Sequence, residues 1–180
     1  MLDCHVLVSD KTPRDWLQAC CSSLADAVNQ AGFPVELHFL QAIDGHIGEA
    51  RAAGYGKGVY PYVTSVDDDD WVEPGAFNCL LAAMQNNPAA IYTHSTRWQN
   101  GHATHSARKQ ALRVFRRDVT ASFDFGPWSA VEDIPLMRHA ETAGDVIEIP
   151  EAVYNIRVYS GSQGRALRRA NPEQVRLARG

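Results

Sequence analysis

Val63-Thr-Ser-Val-Asp67-Asp68-Asp69-Asp70-Trp71-Val72-Glu73-Pro74 is the stretch on which the reading of the fold turns. The apolar, β-branched run from Tyr60 to Val66 reads as a strand. It delivers four aspartates to its C-terminal end, and Pro74 then opens a helix through Met84. In open α/β sheets that edge is where ligands bind. Two unit charges about 4 Å apart repel by roughly 4 kcal/mol at an effective dielectric near 20. Adjacent acids therefore call for water, a raised pKa or a cation. Carboxylate oxygens suit hard ions such as Mg²⁺ and Mn²⁺. The same residues would also serve as a solvated acidic turn that lends negative charge to a helix N-terminus. The position between an apolar strand and a Pro-initiated helix favours the metal.

Working outward, residues 4–9 (CHVLVS) predict a first strand. Thr12-Pro13 reads as an N-cap followed by Pro at the first helical position. Trp16, Leu17, Cys20, Leu24, Ala27 and Val28 keep a helical period until Gly32 and Pro34. Residues 35–40 predict a strand and Asp44-Gly45 a turn. Residues 47–55 read as a short helix broken by Gly54, Gly56 and Gly58. Strands follow at 89–94 and 112–116, with a polar hairpin or loop over 95–111. A helix interrupted by Pro135 is expected over 129–142, then two strands, 146–149 and 152–158, around Pro150. Strands alternating with helices imply one α/β domain with a mainly parallel central sheet. Residues 1–160 are expected to form it. Residues 161–180 are Ser-, Gly-, Gln- and Arg-rich, a basic tail that is either a frayed terminus or a flap offering charge to an anion.

The 180 residues suit a single domain of ordinary size. Lys+Arg 17 against Asp+Glu 21 leaves a net charge of −4, which gives no whole-chain pull toward nucleic acid. A 45% hydrophobic content supports a core, yet no run of about 18 apolar residues exists to span a membrane. The N-terminus carries no basic, apolar leader. Cys4, Cys20, Cys21 and Cys79 form no C-x-x-C pair and read as small buried residues or free thiols of a reducing compartment, so a cytoplasmic setting is expected.

Several segments resemble, in order, the core of family 2 glycosyltransferases. They are Ile47-Gly-Glu-Ala-Arg51-Ala-Ala-Gly54 and the acidic stretch through Phe77, then Arg113-Val-Phe-Arg-Arg117 and Phe123-Asp-Phe-Gly126, and finally Ala130-Val-Glu132-Asp133-Ile-Pro-Leu-Met-Arg138 and Ile149-Pro-Glu-Ala-Val-Tyr154-Asn-Ile-Arg157. The resemblance covers about residues 4–160 and implies a glycosyltransferase A-type fold, Rossmann-like, with a D-x-D metal motif. It implies inverting transfer of a sugar from a nucleotide-diphosphate donor to a hydroxyl acceptor, such as a glycan, with Mn²⁺ or Mg²⁺ as cofactor. By position, Asp69 is then the metal ligand, assisted by Asp67. Ser9, Asp44, Arg51, Asp67 and Asp68 belong to the nucleotide site. Asp133 is the general base, with Glu132 beside it as an acceptor-side or structural acid. Three features depart from the family pattern. Asp44 and Arg51 are only seven residues apart, where the family usually has a further helix and strand. The first strand ends in Ser9-Asp10-Lys11, and Tyr159 stands where His is frequent.

Two other functions stay open on the residues alone. One is a non-catalytic relative that binds a nucleotide, a glycan or a protein. The other is an unrelated metal-dependent phosphoryl-transfer enzyme, against which Glu132-Asp133 in its flanking context argues. His94, His102 and His105 have a spacing that fits no common zinc pattern. Trp71, Trp98 and Trp128 are candidates either to stack on sugar or to pack.

Overall fold

The computed structural model describes residues 1–43, 46–86, 89, 91–98, 103–104, 112–126, 133–157 and 176. In chain order the elements are β1 (Leu2–Val8), α1 (Arg14–Gln30), β2 (Val35–Gln41), α2 (Ile47–Tyr55), β3 (Tyr62–Asp67), β4 (Trp71–Val72) and α3 (Ala76–Asn86). They continue with β5 (Ile91–Trp98), β6 (Ala103–Thr104), β7 (Val114–Arg116), α4 (Arg117–Ala121), α5 (Asp133–Ala143) and β8 (Val146–Ile156).

The strands form one sheet in the order β2-β1-β3-β7-β5-β8-β4, with β6 beside β5. β1 is parallel to β2 and β3, and β5 is parallel to β8. β7 runs antiparallel between β3 and β5, so β2, β1, β3, β5 and β8 all point one way. Their C-terminal ends share one edge. The expected mainly parallel α/β sheet is present.

Helices cover both faces. α1 and α3 place Cys20, Leu24, Phe77 and Leu80 against Cys4, Val6, Val66 and Tyr92. α2, α4 and α5 place Tyr55, Val119, Leu136 and Met137 against Val63, Ile91 and Phe115 on the other. All four cysteines are free, with Cys4 and Cys20 buried.

Several local expectations change: Pro135 falls in the first turn of α5 and does not interrupt it, α3 begins at Ala76 rather than Pro74, and β5 runs on to Trp98. α1 begins at Arg14, and the Pro13 carbonyl accepts from the N–H groups of Trp16 (3.0 Å) and Leu17 (3.1 Å). The Thr12 hydroxyl bonds Asp68 rather than capping the helix. Gly54 does not break α2, which runs through Tyr55. A Cβ at Gly54 would lie 2.4 Å from the His5 ring, so glycine is what lets the helix approach β1. Finally, 146–149 and 152–158 are not two strands. β8 is continuous past Pro150, and its pairing with β5 shifts register from His94–Ile149 to Ser95–Ala152. Proline, which lacks an N–H, sits in the irregularity and costs no ladder bond.

β1 is buried on both faces, so its polar residues need partners. Asp3 accepts from His38 Nε2 (2.8 Å), Tyr60 N–H (2.7 Å) and the Arg117 guanidinium. His5 meets Tyr55 edge-on, with centroids 4.6 Å apart.

His94 of β5 is fully buried, neither ring nitrogen has a hydrogen-bond partner among the described residues, and burial lowers its pKa to about 4. The sign follows from linkage. Below its ordinary value near 6.5 the unfolded chain takes up a proton that folded His94 refuses, so stability falls with pH until about 4. Between pH 7 and pH 5 the wild type should lose about 2 kcal/mol more than His94→Leu, given about 1.4 kcal/mol per pKa unit. Urea unfolding at both pH values measures this. Equal pH dependence in the two proteins would contradict it.

Candidate active site at the acidic strand end

β3 reaches the shared C-terminal edge and hands the chain to the four aspartates. The Asp70 N–H bonds the Asp67 carbonyl at 3.1 Å, closing a turn that returns as β4. The side chains alternate: Asp67 is exposed, Asp68 buried, Asp69 half-buried and Asp70 buried. This alternation separates the acids into two pairs with different partners.

The inward pair is tied into the fold. Asp68 Oδ2 accepts from the Ser9 N–H at 2.7 Å, which fastens the turn after β1 to the acidic loop. Burial pushes the Asp68 carboxyl upward, and the Ser9 and Thr12 hydrogen bonds oppose the shift. Asp70 accepts from the Tyr154 hydroxyl at 2.9 Å and the Arg157 N–H at 2.8 Å. Burial, with Asp67 and Asp69 adding repulsion, holds its carboxyl well above the ordinary range. Relief for these two acids thus comes from hydrogen-bond donors and a raised pKa.

The other two acids, Asp67 and Asp69, are less buried. Asp67 forms an ion pair with Arg51 of α2, a residue almost wholly buried. Asp69 follows two residues later, and its carbonyl accepts from Arg157 Nε at 3.0 Å. The Arg157 guanidinium lies over the rings of Trp16 (4.6 Å) and Trp71 (5.0 Å). Trp71 therefore stacks on a protein cation.

Asp133 opens α5 and accepts from Arg113 Nη2 at 3.0 Å. The Arg113 carbonyl in turn accepts from Thr64 Oγ1 at 2.8 Å. Thr64 lies three residues before Asp67 on β3, so this chain of contacts carries Asp133 toward the edge that holds the acids.

Of the residues singled out in the sequence, the structure brings Ser9, Arg51, Asp67, Asp68 and Asp69 to one strand edge. Asp133 is joined through Arg113 to Thr64 of β3. Asp44, Glu132, His102, His105, Trp128, the Trp98 side chain and the tail from 161 (except Arg176) lie outside the described residues. Arg113 and Tyr154, quoted in the motif segments without a site role, and Trp16, read only as part of a helical period, are further contributors. Tyr154 and Asp70 are 84 residues apart, and no local pattern connects them.

Among the described residues, one group brings three potential metal ligands within 4.8 Å: Asp3, Glu36 and His38. It lies at the opposite edge of the sheet, where β1 and β2 begin. The Asp3 oxygens there are already taken by His38, Tyr60 and the cationic Arg117, which argues against a bound cation.

The profile of glycosyl transferase family 2 matches residues 2–139. The chain belongs to that family. No curated protein matches the sequence. Among solved structures, S. aureus TarS 1–349 in complex with UDP-GlcNAc superimposes with a TM-score of 0.73 at 12% identity, over 92% of this chain and 60% of that one. A second structure of S. aureus TarS 1–349 gives 0.69 at 12% identity, over 87% of this chain and 60% of that one. The complex with UDP gives 0.67 at 13% identity, over 87% and 60%. The family 2 domain here thus has the glycosyltransferase A-type fold and spans about three-fifths of TarS 1–349. Among the described residues, no helix is long and apolar enough to cross a membrane.

Proposed function

We propose that this family 2 domain transfers a sugar from a nucleoside-diphosphate donor to an acceptor hydroxyl with inversion, using Mn²⁺ or Mg²⁺. The observation that carries the reading is the sorting of the four aspartates. Two are buried and bonded into the fold, while Asp67, ion-paired with Arg51, and the half-buried Asp69 lie at the C-terminal edge of a mainly parallel sheet. Asp69 and Asp67 are the residues to hold the ion, which would supply charge neutralisation to a departing diphosphate. The UDP-GlcNAc and UDP complexes of TarS support a uridine donor as the first to test.

Arg51 orients Asp67 and braces the nucleotide side. Ser9 and Asp68, bonded to each other, shape the turn after β1 on that same side, and Asp44 completes the nucleotide set. Asp133 accepts the proton of the acceptor hydroxyl, as a carboxylate positioned for general base catalysis does. Arg113 fixes its direction. Glu132 serves the acceptor side.

Thermal unfolding with UDP, GDP or ADP, each with and without Mn²⁺, tests the donor site. A nucleotide at a hundredfold excess over its dissociation constant adds about 2.7 kcal/mol, a rise of roughly 5–10 °C for a chain of this size. Asp69→Asn should abolish the Mn²⁺-dependent part of that rise. It should leave unliganded stability equal or higher, because one repelling charge is gone. Equal Mn²⁺-dependent stabilisation of mutant and wild type would refute the assignment. Nucleotide binding without donor hydrolysis or transfer would favour a non-catalytic relative.

A further inference from the structure

The contacts between the end of β8 and the acidic loop have no part in the function proposed above. The Tyr154 hydroxyl, on a buried side chain, accepts from the Asp67 N–H at 3.1 Å and donates to Asp70 Oδ2 at 2.9 Å. Asp70 Oδ1 accepts from the Arg157 N–H at 2.8 Å. Arg157 Nε reaches the Asp69 carbonyl at 3.0 Å, and its guanidinium is held over Trp16 and Trp71. Each outward aspartate is thus gripped through its backbone: Asp67 at its N–H, Asp69 at its carbonyl. None of these bonds uses the carboxylate of Asp67 or Asp69.

We propose that Tyr154, acting with Asp70 and Arg157, is a positioning residue that fixes the backbone from which the Asp67 and Asp69 carboxylates project for metal binding. The inference rests on the metal reading of those two residues. Its physical basis is like-charge repulsion. Two outward carboxylates on a free turn would swing apart, and drawing them together around a cation would cost binding energy. Bonds made once, on folding, hold the backbone in register before the ion arrives. Groups that orient metal ligands from behind typically govern affinity by about 10–100-fold.

The test is calorimetric titration of Mn²⁺ with UDP on the whole chain, with near-UV circular dichroism confirming that each variant is folded. Tyr154→Phe removes the hydroxyl and keeps the ring. Asp70→Ala removes the acceptor. Asp70→Asn keeps an acceptor for Arg157 N–H and a polar partner for the phenol. Tyr154→Phe and Asp70→Ala should each weaken Mn²⁺–UDP binding by about 10–100-fold, while Asp70→Asn stays within about threefold of wild type. If Tyr154→Phe does not fold, the Asp70→Ala and Asp70→Asn comparison decides alone.

Wild-type affinity in folded Tyr154→Phe or Asp70→Ala would overturn the proposal. So would collapse of both, which would make the network purely structural. Loss of binding in Asp70→Asn as complete as in Asp69→Asn would make Asp70 a ligand and also overturn it. Absence of any Mn²⁺-dependent UDP binding in the wild type overturns the functional reading, and this inference with it. Wild-type binding with unaffected variants overturns this inference alone.

Discussion

Asp133→Asn should lower turnover by roughly 10²–10⁴-fold while Mn²⁺–nucleotide affinity stays near that of the wild type. The amide has nearly the shape of the carboxylate but cannot accept the acceptor's proton at the moment the new bond forms. Asp133 also accepts from Arg113 Nη2 at 3.0 Å, so the two residues form a unit that aims the carboxylate. Asn retains one oxygen for that contact, and the start of α5 should remain folded. Adjacent helical residues diverge by about 100°, so Asp133 and Glu132 would project in different directions were the helix to include both. Steady-state and donor-binding measurements on Asp133→Asn and Glu132→Gln separate the roles. Turnover within about tenfold of wild type in Asp133→Asn, with Glu132→Gln inactive, would move the base to Glu132.

Asp3→Ala should cost about 3–5 kcal/mol of folding stability. Asp3 is only 2% exposed and stands at the centre of a cluster far from the acidic loop. Arg117, its ion-pair partner, also donates to the carbonyls of Tyr60 (2.6 Å), Tyr55 (2.9 Å) and Lys57 (3.0 Å). The cluster thereby nails the 55–60 loop to β1. Gly58 belongs to the same packing: its φ is +73°, and a Cβ there would lie 2.0 Å from Asp3 Oδ1. Truncating Asp3 leaves the Arg117 guanidinium bonded to carbonyls but without its counter-ion, and removes the acceptor of the Tyr60 N–H, in a mostly buried place. Stabilities of ordinary domains run to about 5–15 kcal/mol, so a large share would be lost. Urea denaturation measures it, and a loss under about 1 kcal/mol would mean that solvent screens the pair.

The order of strands and helices was legible because it depends on local period and punctuation. The apolar spacing of Cys20, Leu24 and Ala27 gave α1, and Pro74 announced α3, the two helices that cover one face. The run into Asp67 gave the strand that carries the site. Where the reading failed, a distant contact had decided the matter. Gly54 looked like a helix breaker until the His5 ring was found in the space its Cβ would need. Pro150 looked like a strand boundary until β5 supplied an irregular register that could absorb it.

The sequence by itself determined that four carboxylates leave a strand and enter a turn ahead of a helix, because strand, turn and helix signals lie within a few residues of one another. It also determined the ordered motifs from Arg51 to Arg157 that mark the family. Only the tertiary structure decided which aspartates face inward. That depends on Ser9, 59 residues from Asp68, and on Tyr154 and Arg157, 84 and 87 residues from Asp70. It likewise decided that Arg117 would pair with Asp3 across 114 residues. The physical reason is that a buried polar group must find its partner wherever the sheet order brings one, and sheet order is a property of the packed core.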